Sequence, residues 1–273
     1  MVKLLRFGRL GAGHIPIIFG IVFSITLGFT YCLSVYYDNV DPWLPYISSS
    51  GDERPESCIF SFLLNICAFM CMLIIYLRYK LITQLNREQD DFLKKINELT
   101  FSIGMIASLS MMIVANFQQT AEWTIHITAA VICFSSSVVY MCMDAFVTRY
   151  MYPTFNGNSI ANVRIVLSII AVISLVCAIG FGFAASAKYH SVYPDKPTPR
   201  PWDQRKEFQP GYNIHCVSAF FEWFLAFLIM LHIVSFTRDF EIIHVRLIVE
   251  ALVSHLDHEP IWTSSDDLAT RIC

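Results

Sequence analysis

Charge is what this sequence has least of. Asp, Glu, Lys and Arg make up 15% of its 273 residues, against about 25% in a soluble domain, too few to cover a water-facing surface. Lys and Arg number 19 against 22 Asp and Glu, a net charge of −3, which leaves no basic footprint and excludes nucleic acid as a partner. No cysteine pair stands with a histidine pair at zinc spacing, so neither a structural metal nor a cofactor is expected. There is no H-E-x-x-H and no Ser, His and Asp in a hydrolase order, which argues against an enzyme. Internal repeats of the kind that build carriers are missing, which weakens an ion or amino-acid transporter reading. No N-x-Ser/Thr sequon occurs.

Apolar sequence is abundant. Hydrophobic residues reach 55% and the mean hydropathy is +0.53, in long blocks separated by short polar stretches. A helix crossing the hydrocarbon needs about 20 mostly apolar residues, and six windows qualify, at residues 14–37, 57–77, 99–118, 122–145, 163–187 and 212–237. The fold expected is all-α, a six-span membrane helix bundle over residues 1–240, with an acidic, disordered tail at 241–273. The first window is longer than a signal peptide's apolar core and reads as an uncleaved anchor. Lys and Arg divide 13 to 6 between the two faces, which puts both termini in the cytosol.

Most of the nine cysteines fall within the apolar blocks and behave there as small hydrophobes. Cys58 and Cys216 lie at segment ends on one side, and a bridge between them stays open. The first non-cytosolic loop, with Pro42, Pro45, Pro55 and Gly51, has the composition of an ordered set of turns. The last, residues 188–211, holds five prolines and is expected to be extended. Asp144 and Arg164, at the cytosolic ends of the fourth and fifth spans, are read as charged anchors reaching water, and Trp123, Trp202 and Trp223 as interfacial belt aromatics. Ala178, Gly180, Gly182, Ala184 and Ala185 give the fifth span a small-residue face, for close packing or for a homodimer. Tyr79-Lys-Leu-Ile82 fits a tyrosine-x-x-bulky sorting pattern in a cytosolic loop running from Arg78 to Glu98.

Several motifs then fall in order along the chain. They are Pro42, Leu44, Pro45, Tyr46, Ile47 and Ser48 followed by Gly51, Pro55, Glu56 and Ser57; Arg78-Tyr79-Lys80; Val114 to Gln118; His126; and Val217-Ser218-Ala219 with Glu222-Trp223, ahead of Asp239-Phe240. In these the chain resembles the DNA damage-regulated autophagy modulator (DRAM) family, within the Frag/DRAM/Sfk superfamily. The resemblance implies six membrane helices, residence in lysosomal, endosomal or other endomembranes, and promotion of autophagy with links to cell death, in company with autophagy machinery or other membrane proteins. A distant branch of the superfamily remodels lipids of GPI anchors, which keeps lipid handling in view.

Glu222 is the one acidic residue deep inside an apolar span rather than at its end. Lying about ten residues into the sixth helix, it sits roughly 15 Å deep at 1.5 Å per residue, where a charge costs at least about 2.5 kcal/mol. It is expected to face the bundle interior, with His215 and Ser218 on the same helix face. Two readings follow. In the first, Asn65, Asn116, Gln118, His126, His215 and Glu222 converge on a pocket for membrane lipids. In the second they only hydrogen-bond between helices.

Overall fold

The computed structural model describes residues 11–86, 89–153, 157–241 and 243; the tail expected after residue 240 falls almost wholly outside them. Every long element among the described residues is a helix. They are α1 (His14–Tyr36), α2 (Glu56–Leu85), α3 (Asp91–Asn116), α4 (Trp123–Tyr150), α5 (Asn158–His190) and α6 (Tyr212–Val234), with a short α7 (Thr237–Phe240) and a 3₁₀ turn at Ser48–Gly51. All six long helices are apolar and long enough to cross a bilayer. The shortest, at 23 residues, spans about 34 Å against a hydrocarbon core of about 30 Å.

Each helix packs on its neighbours in sequence, and α1 closes on α6, so the bundle is a ring; α4 also reaches α6 across it. The ends of the ring meet through the backbone, where Ala12 N–H donates to the carbonyls of Phe240 and Ile243 at 3.2 Å. The end carrying the termini is called proximal here and the opposite end distal.

The helices outrun the apolar windows. The stretch from Arg78 to Glu98, expected as a loop, is mostly helix, with α2 running on to Leu85 and α3 starting at Asp91 after a short turn. Asn86 and Asp90 build it by exchanging two hydrogen bonds of 2.9 and 3.0 Å, and Asp90 then caps α3 by accepting from Phe92 and Leu93 N–H. Helix–helix contact is closest where side chains are small. A Cβ on Gly104 would stand 2.9 Å from Ile75 and Tyr140. The small residues of α5 divide: Ala178, Gly182 and Ala185 turn inward toward α6, whereas Gly180 meets nothing within 4 Å. Cys58 is exposed, Cys216 buried, and both are free thiols.

Asp144 and Arg164 are not anchors reaching water; both side chains are 0% exposed. They belong to a cluster of four charges drawn from α2, α4, α5 and the α6–α7 segment. Arg78 binds Asp144 at 2.9 Å and Asp239 at 3.0 Å. Arg164 binds Asp239 at 2.6 Å and lies 3.8 Å from Asp144. Both guanidinium groups donate to Thr148 Oγ1 at 2.9 Å, and Arg164 also reaches Ser235 Oγ and its carbonyl. The Phe236 ring, fully buried, carries both cations, at 5.2 and 4.7 Å from its centroid. His232 Nε2 stands 3.3 Å from Asp144. Two positive and two negative groups balance, so the core holds no net charge from them.

Removing one member uncovers the rest. Asp144→Ala leaves Arg78 and Arg164 short of a buried partner and is expected to cost about 3–5 kcal/mol. Exchanging a whole pair, Arg78→Met with Asp144→Leu, is expected to restore much of that, because Arg164 and Asp239 keep each other. Unfolding midpoints of the detergent-purified variants check both.

Candidate functional site

The distal end is closed by the loop before α2, and the reason lies in its prolines. Proline contributes a carbonyl but no N–H, so this loop carries acceptors that its own backbone cannot satisfy. Side chains from elsewhere supply the donors. Tyr31 hydroxyl donates to the Pro42 carbonyl at 2.6 Å, Tyr212 hydroxyl to Trp43 at 3.2 Å, and Trp223 indole N–H to Pro45 at 2.8 Å. From the loop before α6, Lys206 and Arg205 bind the carbonyls of Asp38 and Val40, each at 2.8 Å. Arg205 also pairs with Asp203 at 3.0 Å and Asp38 at 2.9 Å. Burial acts to raise Asp203, but the Arg205 guanidinium outweighs it and holds the carboxyl below its usual range.

Further along, the loop descends into the bundle. Tyr46 hydroxyl meets Ser218 Oγ at 2.9 Å, and its burial pushes the phenol up to about 12. The next N–H, of Ile47, stands beside the Glu222 carboxylate. Ser48 and Ser49 grip Gln119, the Ser48 hydroxyl donating at 3.2 Å and the Gln119 amide donating to Ser49 at 2.8 Å. A Cβ on Gly51 would strike the Phe60 ring, so glycine is required where the loop lies on α2. Pro55 and Glu56 begin α2, and Glu56, 0% exposed, accepts from Asn39. Asp52 Oδ1 accepts from Thr120 N–H at 3.1 Å, which ties the loop to the α3–α4 turn. Glycine is also demanded at Gly211, where φ is +93° and a Cβ would lie 2.6 Å from the Ala185 carbonyl.

Two cavities lie beneath this plug. One of about 300 Å³ runs between α4, α5 and α6, and one of about 110 Å³ lies on the ring's inner side; Ser48, His126, Ala130, Phe134 and Glu222 line both. His126 is 3% exposed and donates from Nδ1 to the Phe117 carbonyl at 2.6 Å, so a neutral ring presents Nε2 as an acceptor. Glu222 Oε2 is buried with no hydrogen-bond partner among the described residues. The larger cavity takes in Trp123 and Arg200 at its distal end, where the guanidinium lies 3.5 Å above the indole.

Of the six residues proposed from the sequence, the fold brings His126 and Glu222 to one place. His215 stands beside them in the distal cap, 1% exposed, stacked on Trp202 at 5.0 Å and edge-on to Tyr46 at 4.5 Å. Trp202 is therefore not a belt residue but part of this buried stack, itself 5% exposed. The 188–211 loop folds back over the bundle instead of running extended. Asn65 and Asn116 lie elsewhere, exchanging amide hydrogen bonds of 3.1 and 3.0 Å between α2 and α3. Gln118 is half-buried and lines neither cavity; Gln119 lines the larger. Gln119, Arg200, Tyr46 and Ser218 are cavity residues that the spacing of the spans did not reveal. Tyr79 and Ile82 are both inside α2. Ile82 is 2% exposed and packs with Leu93, Val147 and Met151, so an adaptor reading this pattern as an extended strand has to unwind the helix first.

These features define an integral membrane bundle of six helices with a folded distal plug over an amphipathic interior. The chain belongs to the DRAM family within the Frag1/DRAM/Sfk1 proteins: the profile described as Frag1/DRAM/Sfk1/Cwh43P N-terminal domain matches residues 11–243. The chain is 30% identical to DNA damage-regulated autophagy modulator protein 1 of Xenopus laevis, covering 88% of this chain and 95% of that one. It is also 30% identical to DNA damage-regulated autophagy modulator protein 2 of Homo sapiens, covering 87% of each. Similarity extends, at 27% identity over 60% of this chain and 69% of the relative, to the modulator of macroautophagy TMEM150B of Danio rerio. No solved structure matches.

Two outcomes test this geometry. Glu222→Gln keeps a polar group of the same shape beside Ile47 N–H, whereas Glu222→Ala leaves a gap beneath the loop; hydrogen exchange at residues 46–49 is expected to rise only in the alanine variant. Asp52 is raised above its usual range by burial, so the folded state holds its proton more tightly than the unfolded chain does. That contribution is full below the unfolded pKa of about 3.9 and is lost as pH rises through the folded value. Asp52→Asn keeps the acceptor and is expected to flatten this fall, seen as a smaller loss of melting temperature between acidic and neutral pH than in the wild type.

Proposed function

We propose that this protein is a non-enzymatic membrane protein of the endolysosomal system that modulates autophagy, with both termini in the cytosol. The similarity to relatives named as autophagy modulators over nearly the whole chain carries this reading. The architecture agrees with it. The polar groups of the distal plug are mostly committed to holding the loop before α2 in place, as expected of a scaffold. Expression in cells lacking the gene is expected to raise autophagic flux, read by turnover of a lipidated autophagosome marker with and without lysosomal inhibition, and to co-fractionate with lysosomal membranes. Unchanged flux with correctly localised protein overturns the reading. Asp144→Ala, which disrupts the charge cluster, is expected to abolish the effect by lowering protein level.

A second reading, lipid binding, is favoured by one observation: a cavity of about 300 Å³, at the lower end of ligand-site sizes, that combines apolar walls with His126 and Glu222 inside the membrane span. It is compatible with the first, since a bound lipid is a natural input to a modulator.

A further inference from the structure

We propose that the larger cavity takes one chain of an acidic phospholipid, the phosphate resting on the Arg200 guanidinium at the distal mouth and the chain running down between α4 and α5. The proposal rests on the lipid-binding reading and specifies its headgroup, its leaflet and its entrance.

Length sets the first constraint. The cavity follows α4 from Trp123 to Phe134, eleven residues or about 16 Å, which is half of the ~30 Å hydrocarbon core and so the depth of one leaflet. Access sets the second. Ile127, Val131 and Phe183 line it while being 36%, 45% and 75% exposed on the outer surface of the bundle, so it opens sideways between α4 and α5 toward the acyl chains rather than only toward water.

Charge sets the third. At the mouth the other polar side chains are already spent on one another. Ser48 and Ser49 hold Gln119, and Thr198 meets Ser186 Oγ at 3.1 Å and His190 Nε2 at 3.0 Å. Arg200 differs: it lies on the face of the Trp123 indole, but it has no acidic partner among the described residues, and its Nε is buried with no acceptor. Burial without such a partner lowers its pKa from the ordinary arginine value, so an added anion gains from both. A phosphate on this fork satisfies it. A zwitterionic headgroup brings an ammonium as well, and Glu222, the sole carboxylate among the described residues lining the cavity, lies three turns into α6, away from the mouth. Of the two indoles lining the cavity, Trp123 is covered by Arg200 and Trp202 is stacked on His215. The site therefore selects an acidic headgroup over a choline or ethanolamine one.

The test uses the full-length protein in neutral detergent, titrated by native mass spectrometry with dioctanoyl phosphatidylglycerol and dioctanoyl phosphatidylcholine. Wild type is expected to prefer the acidic lipid about tenfold. Arg200→Gln is expected to erase the preference, Arg200→Lys to retain part of it, and Val131→Trp, at the exposed lateral mouth, to weaken both lipids about tenfold without moving the melting temperature. A preference that survives Arg200→Gln overturns the headgroup assignment while leaving the cavity reading intact. Full binding of both lipids to Val131→Trp overturns the cavity reading itself. Displacement of phosphatidylglycerol by millimolar inorganic phosphate makes this an anion site and overturns the lipid.

Discussion

Four charges buried at the proximal end fix how the helices meet. Taking an ion out of water costs several kcal/mol even after relaxation, and the cost is recovered only when geometry and extra hydrogen bonds are good. Here the two arginines and two aspartates come from α2, α4, α5 and α7, so the compensation exists only when those elements stand at one height and one rotation. Apolar helix faces in lipid tolerate sliding and turning, because lipid tails are as apolar as leucine and supply no hydrophobic drive for one packing over another. The cluster supplies the discrimination they lack. Thr148 and Phe236 complete it, the first by accepting from both guanidinium groups and the second by offering both a π face.

The distal end reaches order by a different route. Its loop is stitched down through backbone carbonyls, taken one after another by Tyr31, Tyr212, Trp223, Arg205 and Lys206. Proline runs make such a loop rigid in advance, and aromatic donors at the helix ends finish the work. Glu222 meets the loop from below, beside the Ile47 N–H where the loop dips into the bundle. Its second oxygen and His126 then face space that the protein itself leaves unfilled, which is what separates these two from Asn65 and Asn116, whose amides satisfy each other.

The helices were legible because crossing a bilayer imposes a length and a composition that any window reveals. The inward placement of Glu222 was legible too, since a carboxylate at that depth has nowhere else to go. Pairing was not. Asp144 and Arg164 look like water-facing anchors until Arg78 and Asp239, 66 residues before Asp144 and 75 after Arg164, are brought alongside, and nothing local announces that meeting. Gln118 and Gln119 were confused for a geometric reason: α3 ends at Asn116 and Phe117 is extended, with φ −109° and ψ 101°, so helical periodicity no longer tells which neighbour turns inward. Trp202 looked interfacial because a proline-rich loop was expected to stay open, whereas its ring found His215 to stack upon.

The ring closes between its first and last long helices, and the acidic residue that completes the charge cluster, Asp239, comes after both arginines in α7. During synthesis the chain therefore enters the membrane with Arg78 and Arg164 already placed and half of their compensation still inside the ribosome. Until Asp239 arrives the two arginines share Asp144, and the segment that carries it completes the cluster. A chain cut short before residue 239 leaves two buried cations sharing the one carboxylate of Asp144, a net charge that the finished cluster does not carry.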